Sequence, residues 1–246
     1  MLRANVAWHG VCNPKGRNMF YDIKVLGLAV IAVMSVSAML ASPASAGLLT
    51  SDGPVKATGT ESPATLTLIA GQKLECHSVE TWSNFAETPH GPLKVPTSTI
   101  TIEKHETNCV AVIGELKAPA TVTMNGCDFT EHVGAKLESG KYASTTDIVC
   151  AGGKSIEIHA YSSAAHSSTV CTYVIPAQVG LAGGFVKNVA GGKIELGGPI
   201  TGIKATRSGI LCGGNAETKE AKEDVGIVIS GTNEGGSATS IEVTGS

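Results

Sequence analysis

The chain predicts an all-β fold, an antiparallel β-sandwich or an irregular β-barrel stapled by disulfides, and three observations carry that expectation. Short stretches alternate polar and apolar side chains, as strands with one buried face do. Turn residues punctuate these stretches about every ten positions. Six cysteines, Cys76, Cys109, Cys127, Cys150, Cys171 and Cys212, follow a secretion signal that directs them to an oxidising compartment.

The signal comes first in the chain. Lys24 opens an apolar run from Val25 to Leu40, a helix-breaking Pro43 follows, and Ala44-Ser45-Ala46 supplies the small residues a signal peptidase needs before Gly47. Residues 1–46 are therefore read as an N-terminal extension and signal peptide, with Met19 as an alternative start of translation. The run is near the short end of spanning length, so an uncleaved anchor is the competing reading. No cysteine follows closely enough for a lipoprotein anchor, and Ile241 to Ser246 carries neither an apolar tail nor a basic stop. The mature protein is expected to be secreted, extracellular or associated with the cell envelope, free of the membrane after cleavage. Cys12 leaves with the signal.

Cleavage also removes Arg3, Lys15, Arg17, Lys24 and Asp22, which leaves 14 basic against 20 acidic side chains, a net charge of −6. An acidic chain without Lys/Arg clusters lacks the footprint for phosphate backbones, so no nucleic-acid partner is expected. The expected partner is an envelope or extracellular ligand of unknown chemistry.

Residues 47–61 are small, polar and broken by Gly53, Pro54 and Gly59, which predicts a flexible lead. Residues 62–246 are read as a single all-β domain. Thr65–Leu68, Thr97–Ile102, Thr121–Met124 and Ser155–Ile158 alternate cleanly. Val170–Ile175, Ile200–Ala205, Val225–Ser230 and Ile241–Thr244 are further strand candidates, rich in β-branched residues. Ala216–Asp224 holds helix formers without an apolar stripe and is read as a solvated loop. Gly-x-Lys recurs at Gly71, Gly134, Gly152 and Gly191, each time as an expected turn into a strand. Asn125-Gly126 is a strong turn dipeptide, with a bulge as the alternative.

Mature aromatics number only seven, Trp82, Phe85, Phe129, Tyr142, Tyr161, Tyr173 and Phe185, so the core rests on smaller aliphatics and the disulfides matter more. Cys76 and Cys109 flank the Trp82 region and make a natural pair. A meander through Ser155–Ser162 would hold Cys150 and Cys171 on strands two apart, about 9 to 10 Å, too far for a bridge. The expected pairs are therefore Cys76–Cys109, Cys127–Cys150 and Cys171–Cys212, and the main alternative is the crossing set Cys127–Cys171 and Cys150–Cys212.

At Met124–Cys127, Ile148–Ile158, Cys171–Gln178 and Ile200–Ile203 the chain resembles a group of exported, cysteine-containing β-rich proteins of high-GC Gram-positive soil bacteria. The resemblance runs over about Cys76 to Val243. Its motifs are turns, disulfide cysteines and strand cores. It implies the compartment and the class, and it transfers no activity.

Motifs for chemistry fail one by one. His105-Glu106 opens a zinc-protease pattern, but Cys109 stands where the second histidine belongs. The histidines at 77, 90, 105, 132, 159 and 166 show no spacing that pairs two imidazoles on one face. Neither Gly-x-Ser-x-Gly nor Cys-x-x-Cys occurs in the mature chain. Glu75, Glu87, Glu103, Glu157 and Glu195 could pair for glycoside hydrolysis, yet most occupy the polar phase of a strand. No catalytic residue, no cofactor and no metal ligand is therefore assigned. The most plausible binding feature is the Pro-bounded connection Thr81–Pro96, which holds Trp82, Phe85 and His90. The opposing expectation is that Trp82 and Phe85 fold inward to cap the core. The leading functional reading is an exported non-enzymatic β domain acting in binding or structure at or outside the cell envelope. The alternatives are a secreted hydrolase with a dispersed site, and a carbohydrate-binding module using Trp82 and Phe85 or a flat, exposed Tyr161.

Overall fold

Side chains that alternate in burial build the regular strands of this molecule. The computed structural model describes residues 46–51, 55–61, 63–84, 99–137, 139–233 and 235–245, and the unit Ser45–Ser246 is one body of strands. The strands are β1 (Gly47–Ser51), β2 (Lys56–Glu61), β3 (Ala64–Thr67), β4 (Lys73–Asn84), β5 (Thr99–Ile113), β6 (Leu116–Thr123), β7 (Cys127–Lys136) and β8 (Tyr142–Cys150). There follow β9 (Ser155–Tyr161), β10 (Thr169–Pro176), β11 (Gln178–Val189), β12 (Lys193–Ser208), β13 (Ala216–Thr232), β14 (Ala238–Thr239) and β15 (Ile241–Gly245). The expected all-β, disulfide-stapled architecture is present as an antiparallel barrel.

Eight strands close a ring in the order β10, β9, β6, β5, β7, β8, β11, β12, with β12 pairing back to β10. A further path from β12 to β5 runs through β13, then β2 and β3, then β4. The long strands β5 and β12 are thus shared, and each forks. β5 pairs with β7 over Thr99–Ile102 and with β6 over Cys109–Ile113. β12 pairs with β11 up to Thr201 and with β10 from Thr206.

The fork has a local cause on each strand. On β5 the inward positions are Ile100, Ile102 and Lys104, then Cys109 and Ala111, so the phase of burial flips between them. Asn108 makes the flip with φ of 53°, a conformation that Asn tolerates better than most residues. On β12 the inward set changes from Ile194, Leu196 and Ile200 to Ile203 and Ala205, and Gly202 makes that flip with φ of 80°. An edge left open at the β12 fork is closed by a side chain. The Gln178 amide accepts from the Lys204 N–H at 2.8 Å and donates to the Lys204 carbonyl at 3.2 Å, as a neighbouring strand's peptide would.

Two lumens result. The first lies among β5, β7, β8, β12 and β13 and is lined by Ile102, Lys104, Phe129, Glu131, Leu196 and Ile227, among others. The second lies among β3, β4, β6, β9, β10 and β12 and is lined mainly by Leu74, Val122, Ile156, Ile158, Ile175 and Ile203. Phe129 belongs to both linings. Residual voids of about 20 Å³ in the first and about 30 Å³ in the second show that both are packed cores rather than ligand cavities.

The β1–β15 ribbon packs on β7, β11 and β12. Leu49, Ile241 and Val243 are fully buried there. A Cβ on Gly47 would lie 2.6 Å from Val133 Cγ1 and 2.7 Å from Tyr142 Cδ1, so the strand can sit this close only with glycine at its start. A second amide stitch holds the ribbon, with Asn188 donating to the Val243 carbonyl at 2.9 Å and accepting from its N–H at 2.7 Å.

Several expectations need correction. The stretch 47–61, expected as a flexible lead, contains β1 and β2: Leu49, Val55 and Ala57 are buried, which a count of small polar residues conceals. Ala216–Asp224, expected as a loop, is the first part of β13. Gly134 lies inside β7 rather than at a turn, while Gly71, Gly152 and Gly191 do turn with positive φ. Asn125-Gly126 is a turn between β6 and β7.

The disulfides are the expected set. Cys76–Cys109 and Cys127–Cys150 bridge directly opposed residues of neighbouring strands, and Cys171–Cys212 joins β10 to the connection between β12 and β13. The meander used to rank them is not the observed path. β8 and β9 do not pair, because β9 crosses to β6 and leaves β8 against β7 and β11.

Candidate functional site

Two regions of the structure carry side chains in places where packing alone would not put them. One is the end of the barrel formed by four connections, 68–72 between β3 and β4, 114–115 between β5 and β6, 162–168 between β9 and β10, and 209–215 between β12 and β13. The antiparallel registers bring them to the same end. Beneath them Tyr173 donates its hydroxyl hydrogen to Gln72 Oε1 at 2.8 Å, and the Gln72 amide reaches the Cys212 carbonyl at 3.4 Å. Burial pushes the Tyr173 phenol up to about 12, against the opposing pull of the Arg207 charge.

The connection 209–215 is built to be rigid. Gly209, Gly213 and Gly214 take positive φ, the Leu211 N–H donates to the Val170 carbonyl, and Cys212 is tied to the fully buried Cys171. At its tip Ile210 is 93% exposed and Leu211 48% exposed. Between Arg207 and Glu217 the chain carries no charge. A second exposed apolar area lies at the β12 fork, where Val149 and Val179 line an open groove with Leu181 and Ala182, and Lys204 stands at its rim.

The other region lies where the two lumens meet, with Lys104 and Glu131 in the lining of the first and Glu223 in that of the second. Lys104 Nζ lies 2.5 Å from Glu223 Oε1, with side chains 3% and 8% exposed, and 4.8 Å from the centre of the Phe129 ring. Glu131 is buried beside them, accepting from Ser144 Oγ at 2.7 Å and from Thr146 Oγ1 at 2.5 Å. Burial pushes the Glu131 carboxyl up, and the two hydroxyls and the Lys104 charge pull it only part of the way back. Gly184 makes room for this arrangement: a Cβ there would stand 2.6 Å from Ser144 Oγ and 3.0 Å from Glu131 Oε1.

The residues singled out by sequence fare differently. Trp82, expected in a loop, lies near the end of β4 and pairs with Thr58 and Glu103 along the backbone. Phe85 and His90 fall outside the described residues, as does Glu87. Tyr161 does not stand free, since its ring stacks on His166 at 4.2 Å and its hydroxyl bonds to Thr121 at 3.1 Å. Glu157 pairs with His159 at 3.3 Å and Glu195 with Lys187 at 2.9 Å, both on the outer face. His132 pairs with Asp147 at 2.8 Å, and Asp147 also accepts from the Gly180 N–H. No group of three metal-ligating side chains occurs among the described residues. Lys104, Glu131 and Glu223 were missed, although each occupies the apolar phase of an alternating strand: Lys104 follows Ile100 and Ile102, Glu131 sits between Phe129 and Val133, and Glu223 lies between Ala221 and Ile227.

No family model matches the chain, and neither a curated protein nor a solved structure shows significant similarity to it.

Proposed function

We propose that this is an exported β domain that acts by binding at or outside the cell envelope, with the connection 209–215 as its contact surface. The observation that carries this reading is the exposed Ile210–Leu211 tip on a segment pinned by Cys171–Cys212. An exposed aliphatic pair is a solubility liability, and holding it on a disulfide-fixed loop lowers the ordering cost of inserting it into a partner's pocket. Three disulfides support export, because such bonds persist in oxidising compartments. The signal ahead of Gly47 supports it independently.

The test is a binding screen of the mature domain against envelope glycans, lipids and surface proteins, run beside an Ile210→Asp/Leu211→Asp double variant. The expected result is a ligand whose affinity falls at least about tenfold in the variant, a loss of about 1.4 kcal/mol. Equal binding by the two proteins, or retention of the chain in the cytoplasm with free thiols, overturns the reading.

A further inference from the structure

The buried trio of Lys104, Glu131 and Glu223 has no role in a binding surface at the far end of the barrel. Its members come from β5, β7 and β13, and Lys104 and Glu223 are 119 residues apart in sequence. Strands β5 and β13 share no ladder, since β4 stands between them with β2 and β3. Placing an ammonium and a carboxylate in an apolar lumen is a weak source of stability, because desolvating both charges offsets most of their attraction. The arrangement is better suited to chemistry between the two groups.

We propose that Lys104 and Glu223 condense into an intramolecular isopeptide bond, with Glu131, buried alongside, relaying the second proton. The amine already touches the carboxyl group at 2.5 Å, so the carbon to be attacked is one bond further on. Holding two reactants in such contact replaces a bimolecular encounter, an advantage equivalent to effective concentrations of about 10⁵ to 10⁸ M. The walls supply the second requirement. Phe129, Ile102, Leu196 and Val225 line the Lys104 side of the site, and these apolar walls keep out the bulk water that would compete with the amine for the carboxyl carbon.

The step balances without a co-reactant. The Lys104 ammonium gives one proton to the Glu223 carboxylate oxygen that it touches, which leaves a neutral amine against a neutral acid. The Nζ lone pair forms the new bond to Glu223 Cδ. Glu131 then moves a second proton from the nitrogen to the departing oxygen, the C–O bond breaks, and water leaves. Ammonium and carboxylate become amide and water, nothing is oxidised or reduced, and Glu131 ends as it began. Ser144 and Thr146 fix the Glu131 carboxyl in place, and burial raises its proton affinity, which suits it to take up and return protons. The product would tie β5 to β13 where the two lumens meet.

The experiment is intact-mass analysis of the exported, natural-sequence protein after full reduction and alkylation. The expected mass is lower than the sequence mass by one water. Trypsin is expected to leave Lys104 uncut and to yield the peptide Val95–Lys117 joined to Glu223–Ser246. Lys104→Arg is expected at full mass. A natural protein at full mass with Lys104 cleaved overturns the proposal, as does a water loss that maps to any other site. Glu131→Gln, checked for folding by circular dichroism, is expected to cross-link at least tenfold more slowly. A variant that cross-links as fast as the natural chain overturns the role given to Glu131.

Discussion

The two lumens are made of the same strands and do different work. The second is walled mostly by Ile, Leu, Val and Ala, and Glu223 is the one charged side chain among the described residues of its lining. The first has comparable apolar walls but admits Lys104, Glu131, Ser144 and Thr146 to its interior. Both are closely packed, with voids of about 20 and about 30 Å³, so the difference is one of chemistry rather than packing. An apolar core is tolerant, since what it needs is volume. A buried polar network is exacting, because each member must keep its partner or bear the cost of desolvation.

The largest expected effect tests whether the lumens are separable at all. Phe129 lines both, lies over Lys104 and is 8% exposed. Phe129→Ala should destabilise by about 3 to 5 kcal/mol in denaturant unfolding, the usual cost of removing a large core aromatic. A loss below about 1 kcal/mol would mean that the two cores are not joined through this ring.

A smaller effect is expected from Gly184→Ala, which adds a methyl group to the polar side only. It would press on Ser144 Oγ and Glu131 Oε1. Overpacking of this kind costs about 1 to 3 kcal/mol. Adding Ser144→Ala should recover part of the loss, since the closest clash is with that hydroxyl. Absence of any such coupling in the double mutant would separate Gly184 from the network.

What the sequence made legible follows the same division. The second lumen's strands were readable because Thr121–Met124 and Ser155–Ile158 alternate polar and apolar residues and Val170–Ile175 is rich in β-branched ones. The cysteine pairs were readable for a related reason, since two of them join opposed residues on neighbouring strands. The first lumen hid itself. Lys104, Glu131 and Glu223 stand where an apolar residue would signal a strand, and with Glu223 inward and Lys222 and Asp224 outward, the first part of β13 looks like a solvated run. The forks were hidden too, because a single residue at Asn108 or Gly202 changes the partner of a strand without interrupting it.

On the second side, Tyr173→Phe tests the polar contact under the barrel end. The variant leaves Gln72 Oε1 without its donor, at a cost of about 1 to 2 kcal/mol. It also has a pH signature. The folded phenol is pushed up to about 12 by burial, above the unfolded value of about 10. The folded state therefore holds this proton more tightly, and the stability it confers is full below about pH 10 and is lost as pH rises toward 12. Tyr173→Phe should flatten that alkaline limb of the unfolding curve, and an unchanged limb would assign it to another group.

The smallest effect belongs to the outer face, where neither lumen is involved. Asp147 bears a burial cost that raises its carboxyl, but the Gly180 N–H and His132 outweigh it and hold the group below the usual carboxylate range. Its folded pKa lies under its unfolded value, so the contribution is present above about pH 4 and disappears as pH falls through the folded value. The pair is partly exposed and screened by solvent, which limits its worth to about 1 kcal/mol or less. Asp147→Asn keeps an oxygen for Gly180 and removes the charge, so stability near neutral pH should fall by no more than that amount. The acid limb of the stability profile should lose slope at the same time. Glu131 acts in the opposite sense, because a carboxyl raised by burial stabilises the folded state as pH drops. If Asp147→Asn leaves the acid limb unchanged or steepens it, that limb belongs to other carboxylates, and Glu131, which favours the fold as pH drops, is not among them.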